Sequence, residues 1–151
     1  MAPNEHTHKK VVVGVDGSPS SIAALRWAVE QAEKTGADVV AVHAWEYPYY
    51  GDISGSSATP SPEVFIDGAR ALLDEALQKV DVPPSLRVEP VVAEGSASRV
   101  LLDGANGAEL LVVGARGRGG FLHLLLGSVA SQCVNHATVP VVVVPSVDRA
   151  H

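Results

Sequence analysis

The residues with the clearest chemical potential lie between Gly114 and Ser128. This segment reads Gly-Ala-Arg-Gly-Arg-Gly-Gly-Phe-Leu-His-Leu-Leu-Leu-Gly-Ser, and its first half contains four glycines, Gly114, Gly117, Gly119 and Gly120. Such glycines are expected to take positive φ angles and to let successive N–H groups point at phosphate oxygens. Gly127 and Ser128 open a predicted helix, whose first N–H groups and dipole attract anions, and Ser128 is expected to cap it. The segment therefore predicts a polyphosphate site.

Two better-known phosphate loops are excluded by the order of the residues. The segment contains no Gly-Lys-Ser or Gly-Lys-Thr, which rules out a Walker loop. The first strand-to-helix turn, Gly14-Val15-Asp16-Gly17-Ser18, lacks the glycine fingerprint of dinucleotide-binding folds. What remains is a glycine, two residues, a second glycine, nine residues and Gly-Ser.

Three charged side chains accompany these glycines, and each has two readings. Asp16 either accepts hydrogen bonds from its own turn, as Asp does readily, or contacts a ribose or a metal ion. Arg116 and Arg118 either pair with ligand charge or remain solvated loop charges. Magnesium would bind chiefly through a triphosphate, because Mg²⁺ keeps waters and takes few protein ligands; Asp16 is the candidate protein ligand.

Apolar periodicity predicts the elements that must position these residues. Five short runs rich in valine and leucine predict strands over residues 10–16, 38–44, 87–93, 110–113 and 141–144. Four helices are predicted between them: from the N-cap Ser18 and Pro19 to Gly36, from Pro62 until Pro83, from the cap Ser96 to Ala105, and from Ser128 to Ala137.

Strands that alternate with helices in this way predict an α/β fold. Five strands joined by right-handed crossovers give a doubly wound five-stranded parallel sheet with helices on both faces. The ligand crevice of such a sheet lies outside the carboxyl ends of the strands, where the winding direction reverses. A strand order of 3-2-1-4-5 would place residues 14–18, after the first strand, beside residues 114–117, after the fourth.

The glycine spacing, directly after the apolar run Leu-Leu-Val-Val, resembles the ATP-binding signature of the universal stress protein family. Val-Val-Val-Gly-Val-Asp-Gly-Ser near the start and Val-Pro-Val-Val-Val-Val-Pro near the end resemble the family's opening and closing strands, so the resemblance covers Lys10 to Pro145. It implies an adenine-nucleotide alpha-hydrolase-like fold and ATP, with or without Mg²⁺, as ligand. The nucleotide-binding residues that it implies are Gly14, Val15, Asp16, Ala44, Gly114, Ala115, Arg116, Gly117, Arg118, Gly119, Gly120, Gly127, Ser128, Val129 and Ala130.

By the same resemblance the protein is expected to act as a nucleotide-dependent sensor or regulatory module in the stress response. The chain offers no P-loop lysine and no kinase motif, and Asp16, Arg116 and Arg118 are the only candidate participants in phosphoryl transfer, so turnover is expected to be slow or absent. One alternative is a slow ATP hydrolase or phosphotransferase that uses the same site. Another is a dimeric interaction scaffold with a structural nucleotide.

A homodimer is expected through the last strand. Val141–Val144 would be an unprotected apolar sheet edge in a monomer, and such edges invite pairing. Members of the universal stress protein family commonly dimerise through this strand. The resemblance therefore agrees with the edge argument.

Composition bounds the other possibilities. The 151 residues suit one domain, predicted over residues 10–146 with flexible tails at 1–9 and 147–151. A formal net charge of −6 argues against nucleic acid as a partner, and no apolar stretch is long enough for membrane insertion. The single cysteine, Cys133, excludes an internal disulfide and, with no apolar secretory segment over residues 1–10, predicts a cytoplasmic location.

The remaining candidate side chains favour structural roles. Cys133 has the residue type of a buried helix position. The six histidines show no ligand spacing, so a zinc site held by the protein is not expected. Tyr47, Tyr49 and Tyr50 either form a lid over a bound base or pack on the nearest surface, and packing is the favoured reading.

Overall fold

Strands and helices alternate along the described chain. The computed structural model describes residues 8–48, 60–117 and 126–146. Its elements are β1 (Lys10–Gly14), α1 (Pro19–Thr35), β2 (Asp38–Trp45), α2 (Pro62–Gln78), β3 (Val88–Glu94), α3 (Ala97–Gly104), β4 (Leu110–Gly114), α4 (Ser128–His136) and β5 (Val141–Val144). Several residues of the sequence predictions lie outside the described residues: most of both tails, Tyr49, Tyr50, Arg118, Gly119, Gly120, His6, His123 and His151.

The strands form one parallel sheet in the order β3-β2-β1-β4-β5, which confirms the predicted order 3-2-1-4-5. β1 is the central strand: Val11 pairs with Val39 of β2 on one side and with Leu110 of β4 on the other. β1 ends at Gly14, two residues before its predicted end, because the chain turns away there toward α1. The winding direction therefore reverses between β1 and β4.

Two apolar cores hold the helices on the sheet. α1 and α2 cover one face, where Leu25 and Leu73 are fully buried. α3 and α4 cover the other, around Val12, Leu111 and Cys133, so the predicted buried position of Cys133 is confirmed. Burying one such side chain contributes about 2 kcal/mol, so the cores together outweigh any single hydrogen bond of the fold.

The helix ends follow the sequence signals at α1 and depart from them at α4. The Ser18 side chain accepts a hydrogen bond from the Ser21 N–H at the start of α1, and Gly36 ends that helix in the left-handed conformation. At α4 the N-cap is Gly127 and Ser128 is the first helical residue, so the predicted capping role of Ser128 is wrong. Across the described residues, none of the helices combines the length and apolarity needed to cross a membrane.

Tyr47 packs against α2. Its ring meets that of Phe65 edge-on, with centroids 5.5 Å apart, and its hydroxyl donates a 2.8 Å hydrogen bond to the Pro60 carbonyl. Trp45, at the end of β2, stacks on the same phenylalanine at 6.3 Å. The packing interpretation is therefore confirmed for Tyr47.

The first turn of α1 lies directly on the end of β4. A Cβ atom placed on Gly114 would lie 2.7 Å from both the carbonyl carbon and the Oγ atom of Ser20. Gly114 is not among the glycines with positive φ, so the predicted positive φ is wrong at this position. Glycine is required here because backbone of α1, which cannot swing aside like a flexible side chain, fills the space.

We expect Gly114→Ala to lower the free energy of unfolding by about 1–3 kcal/mol, because the added methyl group must push α1 away from the sheet. Gly68→Ala is the matched control, since Gly68 lies inside α2 with nothing within 4 Å of an added Cβ. That change should stabilise the helix by about 0.5–1 kcal/mol. Urea unfolding monitored by circular dichroism measures both, and equal effects of the two changes would contradict the packing argument.

Candidate functional site

A cleft opens at the carboxyl ends of β1, β2 and β4, at the point where the winding of the sheet reverses. It encloses about 420 Å³ of space between atoms, part of which is open solvent. Its lining comprises Gly14, Val15, Asp16, Val42, His43, Ala44, Ala97, Leu101, Val113, Gly114 and Val129. The first turns of α3 and α4 form its walls on one face of the sheet, so the cleft has an apolar interior and a main-chain rim.

Hydrogen bonds hold the segment after β1 in one conformation. The Val15 N–H donates to the Val42 carbonyl at 2.8 Å, and the Asp16 N–H donates to the Ser21 hydroxyl at 3.2 Å. The Asp16 Oδ1 atom accepts a 2.8 Å bond from the Ser18 N–H. Asp16 therefore performs the turn role that its sequence position allowed, while its side chain also borders the cleft.

His43 braces the same segment from β2. Its Nδ1 atom lies 2.7 Å from the Val15 carbonyl oxygen. A carbonyl oxygen only accepts hydrogen bonds, so Nδ1 carries a hydrogen and donates it. Val15 is thus held through its N–H by the Val42 carbonyl of β2 and through its C=O by the His43 imidazole.

The glycine-rich loop leaves β4 and returns to α4 at nearly the same place. The Gly127 N–H donates a 2.6 Å hydrogen bond to the Ala115 carbonyl, which joins the two ends of the loop. The buried Ser20 hydroxyl accepts from the Arg116 N–H at 3.3 Å and donates to the Val144 carbonyl at 3.3 Å. Side chains of α1 therefore fix the start of the loop against the end of β5.

Gly117 brings this loop to Asp16. A Cβ atom placed on Gly117 would lie 2.9 Å from the Asp16 Oδ2 atom. Gly117, like Gly114, is not among the positive-φ glycines, so its predicted positive φ is also wrong. The two sequence segments that were expected to be neighbours after β1 and β4 are in contact, and the absence of a side chain at Gly117 permits the approach.

The amino end of α4 points its main-chain donors toward the loop. The first bond inside the helix runs from the Ser131 N–H to the Gly127 carbonyl at 3.0 Å, so the N–H groups of Ser128, Val129 and Ala130 precede the helical ladder. Val129 lines the cleft, whereas the Ala130 side chain is buried in the core beneath it. The Ala130 side chain therefore does not line the cleft.

The structure brings together many of the residues singled out in the sequence. Those that line the cleft are Gly14, Val15, Asp16, Ala44, Gly114 and Val129; Ala115, Arg116, Gly117, Gly127 and Ser128 belong to the adjoining loop ends and helix start. Arg116 is exposed. The sequence did not lead us to assign five further lining residues to the site: Val42, His43, Ala97, Leu101 and Val113. In the sequence, only their position near the ends of strands and helices could have indicated a role in the site. That indication is weak, because apolar residues at such positions are equally expected in a core.

The cysteine thiol and the possible metal ligands are separate questions from the cleft, and Cys133 does not line it. Burial raises the pKa of the Cys133 thiol, which keeps it protonated and unreactive in the core under α4. Within residues 8–48, 60–117 and 126–146, no group of three or more histidine, cysteine, aspartate or glutamate side chains is placed to hold a metal ion.

Comparison with known proteins identifies the family of this chain. The sequence model of the Universal stress protein family matches residues 7–145. The chain belongs to this family.

The relatives agree in sequence and in fold. A universal stress protein of Mycolicibacterium smegmatis is 41% identical over 135 residues, which are 89% of this chain and 45% of the relative. This chain thus spans about half the length of the curated universal stress proteins that it matches. A universal stress protein solved in complex with cAMP is 27% identical, with a TM-score of 0.68 and coverage of 92% of this chain and 98% of the other. UspA from Lactobacillus plantarum, at 23% identity, shares the fold with a TM-score of 0.71 over 91% and 97% of the two chains.

Ser20→Ala should lower the free energy of unfolding by about 1 kcal/mol, because the Arg116 N–H and the Val144 carbonyl lose their shared hydroxyl partner. The matched control is Ser98→Ala, the same change in the first turn of α3, which should alter stability by less than about 0.5 kcal/mol. Denaturant midpoints at an unchanged m-value provide the measurement. If the two variants lose the same stability, the Ser20 hydroxyl does not bridge loop and strand.

Proposed function

We propose that this universal stress protein binds ATP in the cleft and acts as a nucleotide-dependent regulatory module. The observation that supports the proposal is the arrangement of the site: an apolar pocket at the switch point of the sheet continues into a rim of main-chain N–H groups at a glycine-rich loop and a helix start. A nucleotide has the matching division into an apolar base and an anionic phosphate chain.

The base would occupy the part of the cleft at the end of β2. Apolar side chains surround this part, among them Val42, Leu101 and Val113. The Val42 carbonyl faces β1, where it accepts from Val15, and the Trp45 carbonyl faces β3, where it accepts from Gly95. Because main-chain groups of a parallel strand alternate in direction, the N–H and C=O of Ala44 face the side on which β1 has ended. The Ala44 N–H is suited to donate to N1 of adenine, and the Ala44 C=O is suited to accept from the adenine amino group.

The phosphates would lie against the amino end of α4. The main-chain N–H groups of Ser128, Val129 and Ala130 and the helix dipole together attract anions. Arg116 is exposed at the start of the loop, so its guanidinium is available to pair with phosphate charge. The cAMP-bound universal stress protein, 27% identical to this chain, supports an adenine nucleotide as the ligand class.

The lining of the cleft favours binding over turnover. Among the described residues that line the cleft, Asp16 is the only carboxylate, and its Oδ1 atom is engaged by the Ser18 N–H. Main-chain N–H groups stabilise phosphate charge but cannot act as a general base, and phosphoryl transfer also requires a positioned nucleophile or base. Slow hydrolysis through Asp16 is the enzymatic alternative.

We expect isothermal titration of the folded protein with ATP and Mg²⁺ to show one site per chain. Gly117→Ala should weaken the affinity at least about tenfold, because the methyl group forces the Asp16 carboxylate out of place and obstructs the approach of phosphate. Gly68→Ala, far from the cleft on α2, is the control and should bind like the wild type. The proposal is wrong if the correctly folded wild type binds no adenine nucleotide.

The same preparation separates a regulatory module from an enzyme. ATP incubated with the protein for hours should be recovered intact, because the two acid/base side chains of the described lining are engaged by the main chain: Asp16 Oδ1 by the Ser18 N–H and His43 Nδ1 by the Val15 carbonyl. Steady production of ADP, abolished by Asp16→Asn, would favour the slow hydrolase instead.

A specific observation also favours a homodimer. The sheet has two edges: β3 carries Pro90 and exposed Glu89 in its middle, which discourage pairing, whereas β5 is an uninterrupted run of four half-buried valines. We infer that Val141–Val144 pairs with the same strand of a second copy.

Sedimentation velocity at micromolar protein is expected to show a species of about twice the 15.7 kDa chain mass. Val143→Pro should shift it toward monomer, because proline cannot donate to a strand partner and resists pairing. As a control, Val134→Ala removes exposed apolar surface from α4 and should leave the dimer in place. A wild type that remains monomeric throughout this range would contradict the inference.

A further inference from the structure

His43 stands at the one point where the hydrogen-bond ladder between β1 and β2 departs from its regular course. The register pairs Gly14 with Val42, and the Val15 N–H donates to the Val42 carbonyl at 2.8 Å. The next bond of a regular parallel ladder would run from the Ala44 N–H to the Val15 carbonyl. Between these described residues that bond is not formed. The His43 Nδ1–H group occupies the Val15 carbonyl instead, at 2.7 Å.

The consequence falls on the main chain of Ala44. A carbonyl oxygen can accept two hydrogen bonds, so occupancy alone does not exclude Ala44; the chain bends after Gly14, and the imidazole holds the Val15 carbonyl where the Ala44 N–H does not bond to it. With the imidazole on that carbonyl, the Ala44 N–H remains directed toward the cleft that Ala44 lines. A half-buried N–H group without a hydrogen-bond partner costs free energy, and a ligand acceptor that pairs with it removes that cost.

We propose that His43 is a positioning residue that sets base selectivity: by holding the Val15 carbonyl out of reach of the Ala44 N–H, it leaves the Ala44 N–H and C=O to pair with the edge of an adenine. This inference rests on the proposed function, because the base is that of the nucleotide bound in the cleft. Adenine presents an acceptor, N1, beside an amino donor, and so complements Ala44. Guanine presents N1–H beside a carbonyl oxygen. Its donor would therefore face the Ala44 N–H, and its acceptor would face the Ala44 C=O.

Two variants of similar size separate this role from simple packing. In His43→Asn the side-chain amide places an N–H group close to the position of Nδ1 and should keep the Val15 contact, whereas His43→Leu removes the donor. We expect the wild type and His43→Asn to bind ATP at least about tenfold more tightly than GTP, as the loss of one or two hydrogen bonds requires. His43→Leu should lose about tenfold in ATP affinity with little change for GTP. If His43→Leu simply lost stability, its affinities for ATP and for GTP would fall by the same factor.

A measurement without ligand tests the ladder itself. In the wild type and in His43→Asn the Ala44 amide should exchange its hydrogen with solvent about tenfold faster than in His43→Leu, where the Ala44 N–H gains the Val15 carbonyl. Nitrogen-15 spectra of the wild type should show the His43 hydrogen on Nδ1, a result that does not depend on the variants folding. Hydrogen on Nε2 alone, equal exchange of Ala44 in all three proteins, or an unchanged ratio of ATP to GTP affinity in His43→Leu would each overturn the inference. A wild type that binds no nucleotide defeats the proposed function, and exchange at Ala44 then still decides whether His43 ends the ladder.

Discussion

Where the hydrogen-bond ladder of a parallel sheet stops, the main-chain N–H and C=O groups at the end of each strand must find other partners, because buried polar groups left unpaired cost free energy. In this protein side chains from neighbouring elements take over at that edge. The Ser21 hydroxyl receives the Asp16 N–H, the His43 imidazole takes the Val15 carbonyl, and the Ser20 hydroxyl joins the Arg116 N–H to the Val144 carbonyl. The carboxyl edge is thereby fixed in shape before any ligand arrives.

This requirement explains why small residues collect at the same edge. Short serine side chains reach strand ends only if the first turn of α1 lies close against the sheet, and that approach leaves no space for a Cβ on Gly114. Gly117 in turn admits the Asp16 carboxylate to the loop. Glycines that resemble a ligand-binding loop in sequence therefore also serve the packing of the protein on itself. The two roles are compatible, because a main chain packed this closely is held still enough to present its N–H groups in fixed directions.

The sequence was sufficient to predict the arrangement of the elements and insufficient for the details of the cleft. The strand order and both ends of α1 were predicted, because valine-rich runs, Ser18-Pro19 and Gly36 are strong local signals. The end of β1, the capping residue of α4 and the φ angles of Gly114 and Gly117 were predicted wrongly. Each of these depends on contacts with distant residues, such as the packing of Ser20 on Gly114 across 94 positions of sequence. His43 was not named for the same reason: a histidine on a strand acquires a role only once the carbonyl that it meets is known.

The chemical groups around the cleft determine what effect binding of the proposed nucleotide would have on the protein. The groups that Ala44 and the start of α4 bring to the cleft are main-chain amides, and Asp16, the only carboxylate among the described lining residues, is engaged in a turn. Under the proposed function, a ligand that binds only the folded protein lowers the free energy of that state by an amount set by ligand concentration and affinity, and no chemical step is needed. Ser20 joins the Arg116 N–H, at the start of the loop, to the carbonyl of Val144, the last residue of the half-buried edge strand β5. If the proposed nucleotide binds at the start of this loop, the Ser20 contact links its site to the strand that we infer to pair with a second copy, and binding and association are then coupled without consumption of the nucleotide.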